Sequence, residues 1–216
     1  MLNKKYQSAP SAIASYDYVD IAAGTGITNF YAGDTVDLKL LSNQQFYSDN
    51  MFLSGSTGGE GSAVKVIDAD FDVQINRPLT IGGKVVINVP LRVNPIEGGA
   101  SPSYAIIKLR KWDGAAETEI ASNQSSTYSP AVGDTWSYKM LAVDLTIPDT
   151  IFKVGEYIRL TVEGWGSSPA TNCFINIAHD PMNRTTNGAI SPAANDWDTT
   201  KSPSTLIFQV PQRLDL

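Results

Sequence analysis

Cysteine and histidine are nearly missing from this sequence, and their scarcity limits the chemistry that it can support. The 216 residues include one cysteine and one histidine. With Cys173 as the only thiol, a disulfide within the chain is excluded, and nothing polar in the surrounding sequence would lower the pKa of that thiol. No nucleophile with a matching base and no paired acids stand out. The sequence therefore predicts that the protein is not an enzyme and that it uses no cofactor.

Clustered positive charge is also scarce. Lys and Arg total 16 against 22 Asp and Glu, which gives a net charge of −6. Binding to the phosphates of a nucleic acid needs clustered Lys and Arg, so we expect no nucleic acid partner. The one basic cluster, Lys108, Arg110 and Lys111, falls in a predicted strand whose solvent-facing side would carry Lys108 and Arg110.

Long apolar segments are absent as well. The first fifteen residues lack the apolar segment of a signal peptide, and no apolar run approaches the roughly 20 residues of a membrane-spanning helix. We therefore expect no membrane partner and synthesis in a host cytoplasm. Residues 1–15, which are polar and interrupted by Pro10, are predicted to form an extended arm that is ordered only where another surface holds it.

Alternation of apolar and polar residues is the pattern that the sequence does have. It is clearest in residues 140–148, where every second side chain is apolar, as in a strand with one buried face. The apolar side chains of this stretch are Leu141, Val143, Leu145 and Ile147. Pro148 cannot donate to a ladder of hydrogen bonds, so it is predicted to end this strand. Residues 157–166 repeat the alternation.

About ten such segments follow one another along the chain, without an amphipathic helix. The pair Asp113-Gly114 is among the strongest hairpin signals, and the glycine-rich residues 54–62 predict a flexible loop. This organisation predicts an all-β protein, a two-sheet antiparallel β-sandwich that is jelly-roll-like, in one domain over residues 16–216. Residues 180–204 lack any period, and so long a loop is typical of a functional or contact-making segment.

Three carboxylates at alternate positions, Asp68, Asp70 and Asp72, form a first candidate site. In a regular strand they share one face, with about 6.6 Å between successive Cα atoms. A calcium ion needs several oxygens within about 2.3–2.6 Å, so a shared ion would require a bend in the strand. A solvated acidic face is the favoured interpretation, and a metal site is the alternative.

The long loop contains a second candidate group. His179 stands at its start, and Asp196, Trp197 and Asp198 lie near its end. A histidine with carboxylates could bind a divalent metal or serve acid–base chemistry, and Trp197 could be a platform for a sugar ring. The favoured interpretation is simpler: His179 closes a strand, and Asp180-Pro181 makes a turn. These residues remain possible contacts to a ligand or partner.

Four stretches of the sequence resemble structural proteins encoded by tailed bacteriophages. They are residues 16–26 (YDYVDIAAGTG), 108–114 (KLRKWDG), 152–166 and 179–181 (HDP). The resemblance extends over most of residues 16–216 and implies a virion component, namely a head-decoration, neck or fibre-associated β-sandwich protein. The implied partners are other copies of the chain and other virion proteins, and the implied location is the virion. The alternative is a carbohydrate-binding module or the receptor-binding tip of a tail fibre, for which surface aromatics near Trp197 would be the evidence.

Overall fold

The computed structural model describes residues 26–58, 61–95, 102–130, 136–168, 173–186 and 196–214. These residues form eleven strands: β1 (Gly26–Asp34), β2 (Lys39–Ser42), β3 (Phe52–Ser56), β4 (Val64–Gln74), β5 (Leu79–Pro95), β6 (Ser103–Trp112), β7 (Glu117–Gln124), β8 (Ser137–Phe152), β9 (Tyr157–Gly166), β10 (Cys173–Ala178) and β11 (Ile207–Leu214). The all-β prediction is confirmed, and no helix in the described ranges is long and apolar enough to span a membrane. The predicted arm, residues 1–15, lies outside the described residues, as do residues 187–195 of the long loop.

Hydrogen bonds join all eleven strands into one sheet. The order is β3-β10-β5-β11-β1-β2-β4-β9-β6-β7, and β8 pairs with β5. Every pairing is antiparallel except that of β2 with β4, which consists of the single pair Leu40 and Asp72. The predicted division into two separate sheets is not confirmed by the hydrogen bonds, because this parallel pair connects the two parts.

The sheet folds back on itself around one apolar core. Strands that are distant in the sheet order meet across this core: a side chain at Gly164 of β9 would press on Ile177 of β10, and one at Gly166 would collide with Ile175. β9 is therefore packed against β10 as closely as glycine allows. The core takes alternate side chains from each strand, among them Phe71, Ile87, Val89, Leu109, Val143, Leu160 and Phe208.

β8 confirms the predicted alternation but not its predicted end. The side chains of Leu141, Val143, Leu145 and Ile147 are buried. The strand continues through Pro148 to Phe152, so the prediction that this proline ends it is wrong. Among the described strands β8 pairs only with β5, and the register shifts between Ile81 and Gly83, opposite Pro148. A proline at a bulge of an edge strand breaks no ladder, and Gly82 leaves room there for the Asp149 carboxylate.

Two segments show that the fold depends both on local sequence and on pairing between distant strands. The predicted hairpin at Asp113-Gly114 joins β6 and β7, with Gly114 at a φ of 96°. By contrast, the first part of the predicted loop 54–62 belongs to β3, which pairs with β10 through Ser54 and Asn176. A partner strand far along the chain therefore ordered a segment whose composition indicated a loop. β3 forms one wall of the candidate site.

Candidate functional site

A row of polar side chains crosses four neighbouring strands on the face turned away from the core. Ser54 of β3 pairs with Asn176 of β10, which pairs with Arg92 of β5, which pairs with Tyr138 of β8. The flanking residues of β5 and β10 are Leu91, Val93, Ile175 and Ile177, and all four belong to the core. Since successive side chains of a strand point to opposite faces, the polar row lies on the outer face.

Arg92 is the centre of this face. Its guanidinium carbon lies 4.4 Å from the ring centroid of Phe52, 4.2 Å from that of Trp136 and 5.3 Å from that of Trp197. These distances are in the range of cation–π interactions. Nη1 of Arg92 donates to the backbone oxygen of Asp196 at 2.7 Å. The side chain is only 1% exposed, so it acts as a buried connection between the sheet and the loop residues Asp196 and Trp197.

The amide of Asn176 is oriented by Arg92. In the orientation that satisfies both ends of the amide, Nε and Nη2 of Arg92 each donate to Oδ1 at 2.9 Å. Nδ2 then donates to the backbone oxygen of Ile175 at 2.9 Å and to Oγ of Ser54 at 2.8 Å. Because a guanidinium has donors only, the opposite orientation would place donors against donors. A directed chain of hydrogen bonds thus runs from Arg92 through Asn176 to Ser54.

An open cleft of about 280 Å³ lies beside this chain of hydrogen bonds. Its lining combines aromatic rings with small polar groups: Phe52, Ser54, Asn94, Trp136, Phe174 and Asn176. Phe174 is 37% exposed although it is a large apolar side chain. An apolar cleft with a few convergent polar groups is the usual form of a small-molecule site. None of the six lining residues carries a charge.

Trp197 does not take part in this cleft as a ligand platform. The indole is 1% exposed and forms a small second core with Met51 and Ala178. Its Nε1 donates to the backbone oxygen of Ser202 at 2.7 Å, and its ring meets that of Tyr138 edge to face at 5.2 Å. The predicted stacking platform at Trp197 is therefore wrong, because packing against the outer face of the sheet buries both faces of the ring.

The other predicted carboxylates of the long loop lie in different surroundings and do not form one group. Asp180 is fully buried and accepts the Arg184 guanidinium, whose Nη2 lies 3.0 Å from Oδ1. Oδ1 of Asp198 accepts the hydroxyl of Thr200 at 2.6 Å. Asp196 contributes its backbone oxygen to Arg92. The structure thus places the carboxylates of Asp180 and Asp198 in separate local turns.

His179 lies just beyond β10 in a fully buried position. Its ring packs against Phe71 with 5.3 Å between centroids, and neither ring nitrogen has a hydrogen-bond partner among the described residues. Burial lowers the pKa of His179 to about 4, although the charges of Asp34 and Asp180 act in the opposite direction. The ring is therefore neutral near pH 7 and lies inside the fold. That it closes a strand agrees with the simpler interpretation of the sequence.

The three aspartates of β4 lie in an ion-pair network on the outer face. Lys65 Nζ is 2.5 Å from Asp68 Oδ2, Arg159 Nη2 is 2.6 Å from Asp72 Oδ2, and Thr161 donates to Asp70 at 2.5 Å. The predicted common face is observed, and protein cations neutralise it. Within the described ranges, no group of three His, Cys, Asp or Glu side chains is placed to hold a metal ion.

The cleft residues were largely missed in the sequence. Arg92, Asn94, Trp136, Phe174 and Asn176 were not predicted as site residues. A usable signal existed in β10, where Asn176 interrupts an otherwise apolar strand, CFINIA. A polar residue in such a strand needs a partner, but the sequence does not say that the partner is Arg92.

Comparisons with known proteins show similarity of fold without similarity of sequence. No family model matches the sequence, and no curated protein matches it either. Among solved structures, an α-amino acid ester hydrolase matches with 10% identity and a TM-score of 0.57 over 86% of this chain and 36% of its own. An aminopeptidase from a marine sediment archaeon, Thaumarchaeota archaeon, matches with 8% identity and a TM-score of 0.58 over 87% and 37%. A CocE/NonD family hydrolase from Staphylococcus aureus matches with 9% identity and a TM-score of 0.51 over 87% and 37%.

These matches correct the prediction that the protein is not an enzyme. That prediction came from the scarcity of catalytic residue types, whereas all three structures are hydrolases. The exclusion is therefore wrong: this fold occurs as a part of hydrolytic enzymes. At 8–10% identity the likeness establishes the fold alone, and the chain spans little more than a third of the length of each of these structures.

Proposed function

We propose that the protein binds carbohydrate in the cleft lined by Phe52, Ser54, Asn94, Trp136, Phe174 and Asn176. The observation that carries the proposal is the combination of rings and uncharged polar groups in one open cleft of about 280 Å³. Sugars present apolar C–H faces beside hydroxyl groups, so a site for them needs aromatic surface next to donors and acceptors. The predicted carbohydrate partner is kept, and its platform moves from Trp197 to this cleft.

The cleft is also suited to a ligand because its polar groups are already held in place. Asn176 and Ser54 are oriented by Arg92 through hydrogen bonds of 2.8–2.9 Å. Arg92 is in turn held by Phe52 and Trp136, which also line the cleft. Groups that are ordered before a ligand arrives reduce the entropy lost on binding.

Replacing Phe174 by alanine should weaken glycan binding about tenfold and lower the melting temperature only modestly. The ring is 37% exposed, so its removal costs less packing than that of a core phenylalanine, while an aromatic contact to a ligand contributes about 0.5–1.5 kcal/mol beyond area burial. A glycan array identifies the ligand, and calorimetric titration measures the affinity of the wild type and the variant. Tyr47→Ala is the matched control, because Tyr47 is 72% exposed and lies outside the cleft.

The proposal fails if a broad array shows no glycan retained by the intact chain. It also fails if Tyr47→Ala and Phe174→Ala weaken binding equally, because the loss would then not report on the cleft.

A role in a virion, through assembly with other copies, is the second candidate. Its support is the resemblance to tailed-phage structural proteins, together with an apolar end patch that consists of Val36 and Leu38. These side chains are 89% and 61% exposed, and both line a hollow beside Asp49 and Asn50. Adjacent exposed apolar side chains are typical of protein–protein contacts. A glycan-binding cleft on such a component would make it a receptor-binding tip.

Leu38→Asp should convert an assembled form of the protein to the monomer of 23.3 kDa. A carboxylate in a contact between apolar patches would be buried without a partner, which is costly. Light scattering over a range of concentrations measures the mass. Val154→Asp is the control, because Val154 is 62% exposed in the turn between β8 and β9. A wild type that is monomeric at all concentrations would argue against assembly through this patch.

A further inference from the structure

The hydroxyl of Ser54 is the last member of the hydrogen-bond chain that starts at Arg92, and it lines the cleft. Arg92 can only donate, so Oδ1 of Asn176 faces it and Nδ2 of Asn176 faces Ser54. One lone pair of Ser54 Oγ therefore accepts from Asn176 at 2.8 Å. No acceptor for the Ser54 proton is present in the part of the chain that the structure describes. The proton is available to an acceptor in the cleft.

The direction of these hydrogen bonds determines which kind of ligand atom can bind to the Ser54 hydroxyl. A cation at one end polarises the hydrogen bonds that follow it, so the terminal hydroxyl becomes a better donor. Such a donor favours an oxygen that only accepts, such as a carbonyl oxygen, over a hydroxyl oxygen that also has a proton to place. The cleft thus distinguishes between ligand oxygens that similar polar linings would accept equally.

The remaining lining residues complete a match to one substituent. Asn94 adds a second amide, with both a donor and an acceptor, on the strand next to Phe174. Phe52 and Phe174 add apolar surface. An acceptor-only oxygen, an N–H group and a methyl group occur together in an acetamido group.

We propose that the ligand is an acetamido sugar, with its carbonyl oxygen on Ser54, its N–H on the Asn94 side-chain oxygen and its methyl group against the Phe174 ring. This inference rests on the proposed carbohydrate function and specifies its ligand class. The lining residues that the structure describes carry no charge, which agrees with a neutral substituent.

The test compares two β-1,4-linked tetrasaccharides that differ only at carbon 2. Chitotetraose carries an acetamido group there, and cellotetraose carries a hydroxyl. Calorimetric titration of the full chain should show chitotetraose bound at least tenfold more tightly than cellotetraose. Ser54→Ala should reduce this preference to less than threefold, and Ser54→Thr, which keeps the hydroxyl, should restore it. Ser56→Ala, two residues along the same strand and outside the cleft lining, should change nothing.

The possible results distinguish a failure of the acetamido assignment from a failure of the proposed carbohydrate binding. Equal affinity for the two tetrasaccharides would overturn the acetamido assignment and leave carbohydrate binding standing. The assignment is likewise overturned if the preference survives in Ser54→Ala, or if a glycan array identifies only ligands without an acetamido group. Failure to bind any glycan would overturn both. Oligogalacturonate serves as the carboxylate probe, and tighter binding of it than of chitotetraose would also overturn the acetamido assignment.

Discussion

Arg92→Ala should lower the free energy of unfolding by about 4 kcal/mol, the largest effect that we expect from a single substitution. The side chain is 1% exposed, and its removal leaves the buried Oδ1 of Asn176 and the backbone oxygen of Asp196 without these donors. A buried acceptor that loses its donor costs about 1–3 kcal/mol. The rings of Phe52, Trp136 and Trp197 would in addition face a cavity. Urea denaturation measures the loss.

Two further variants show what the prediction depends on. Arg92→Lys keeps the charge but cannot donate two parallel bonds to Asn176, so we expect a loss smaller than that of Arg92→Ala but still measurable. Arg110→Ala is the control: Arg110 pairs with Glu117 at 3.0 Å on the partly exposed outer face, and such pairs contribute at most about 1 kcal/mol. If Arg92→Ala and Arg110→Ala cost the same, the guanidinium does not hold the outer face together as inferred.

The free energy of unfolding should decrease by about 2 kcal/mol between pH 7 and pH 5, because of His179. Burial lowers the pKa of this ring to about 4 in the folded protein, from an ordinary value of 6.5. The unfolded chain therefore takes up a proton below pH 6.5 that the folded protein does not bind until about pH 4. The stabilisation is complete above pH 6.5 and is lost as the pH falls from 6.5 towards 4.

The surroundings of His179 make this interval simple to interpret. The charged groups that act on the ring are Asp34 and Asp180, which favour its protonation, and Lys39, which opposes it. His179 is the only histidine. The pKa of Asp34 and that of Glu163 are lowered from values already near 4, so their contributions are lost at lower pH.

His179→Leu provides the comparison, since leucine can occupy the same apolar site beside Phe71 without titrating. Chemical denaturation at pH 7, 6 and 5 should show a decrease for the wild type and a nearly constant free energy of unfolding for the variant. Parallel curves for the two proteins would mean that other groups carry the pH dependence. A wild type that is as stable at pH 5 as at pH 7 would mean that the ring becomes charged in the folded state.

Several features of the protein could be predicted from local sequence because they follow from the period of a strand. The alternation in residues 140–147 places one face of β8 in the core in any fold that pairs it. The turn at Asp113-Gly114 depends only on the backbone preferences of these residues. The amides of Ala115 and Ala116 donate to the Asp113 carboxylate at 2.9 and 2.8 Å. The common face of Asp68, Asp70 and Asp72 is likewise a property of the strand period.

The candidate site could not be predicted in this way, because its parts meet only through pairing between distant strands. Ser54, Arg92 and Asn176 are neighbours because β5 and β3 both pair with β10. The spacing of these residues in the sequence does not predict that pairing. The position of Trp197 in a polar loop predicted a surface role, but its ring packs against Arg92 and Tyr138.

The sequence by itself determined an all-β chain, its clearest alternating strands and its acidic outer face, since each depends on residues one or two positions apart. The tertiary structure decided which strands became neighbours. It thereby decided that Pro148 lies in a bulge opposite Gly82, that Trp197 is buried and that Ser54 lies at the end of a chain of donors from Arg92. The physical reason is that burial and hydrogen bonding depend on which groups meet in space, and in this protein such groups can lie far apart in the sequence, as Arg92 and Asp196 do at a separation of 104 residues.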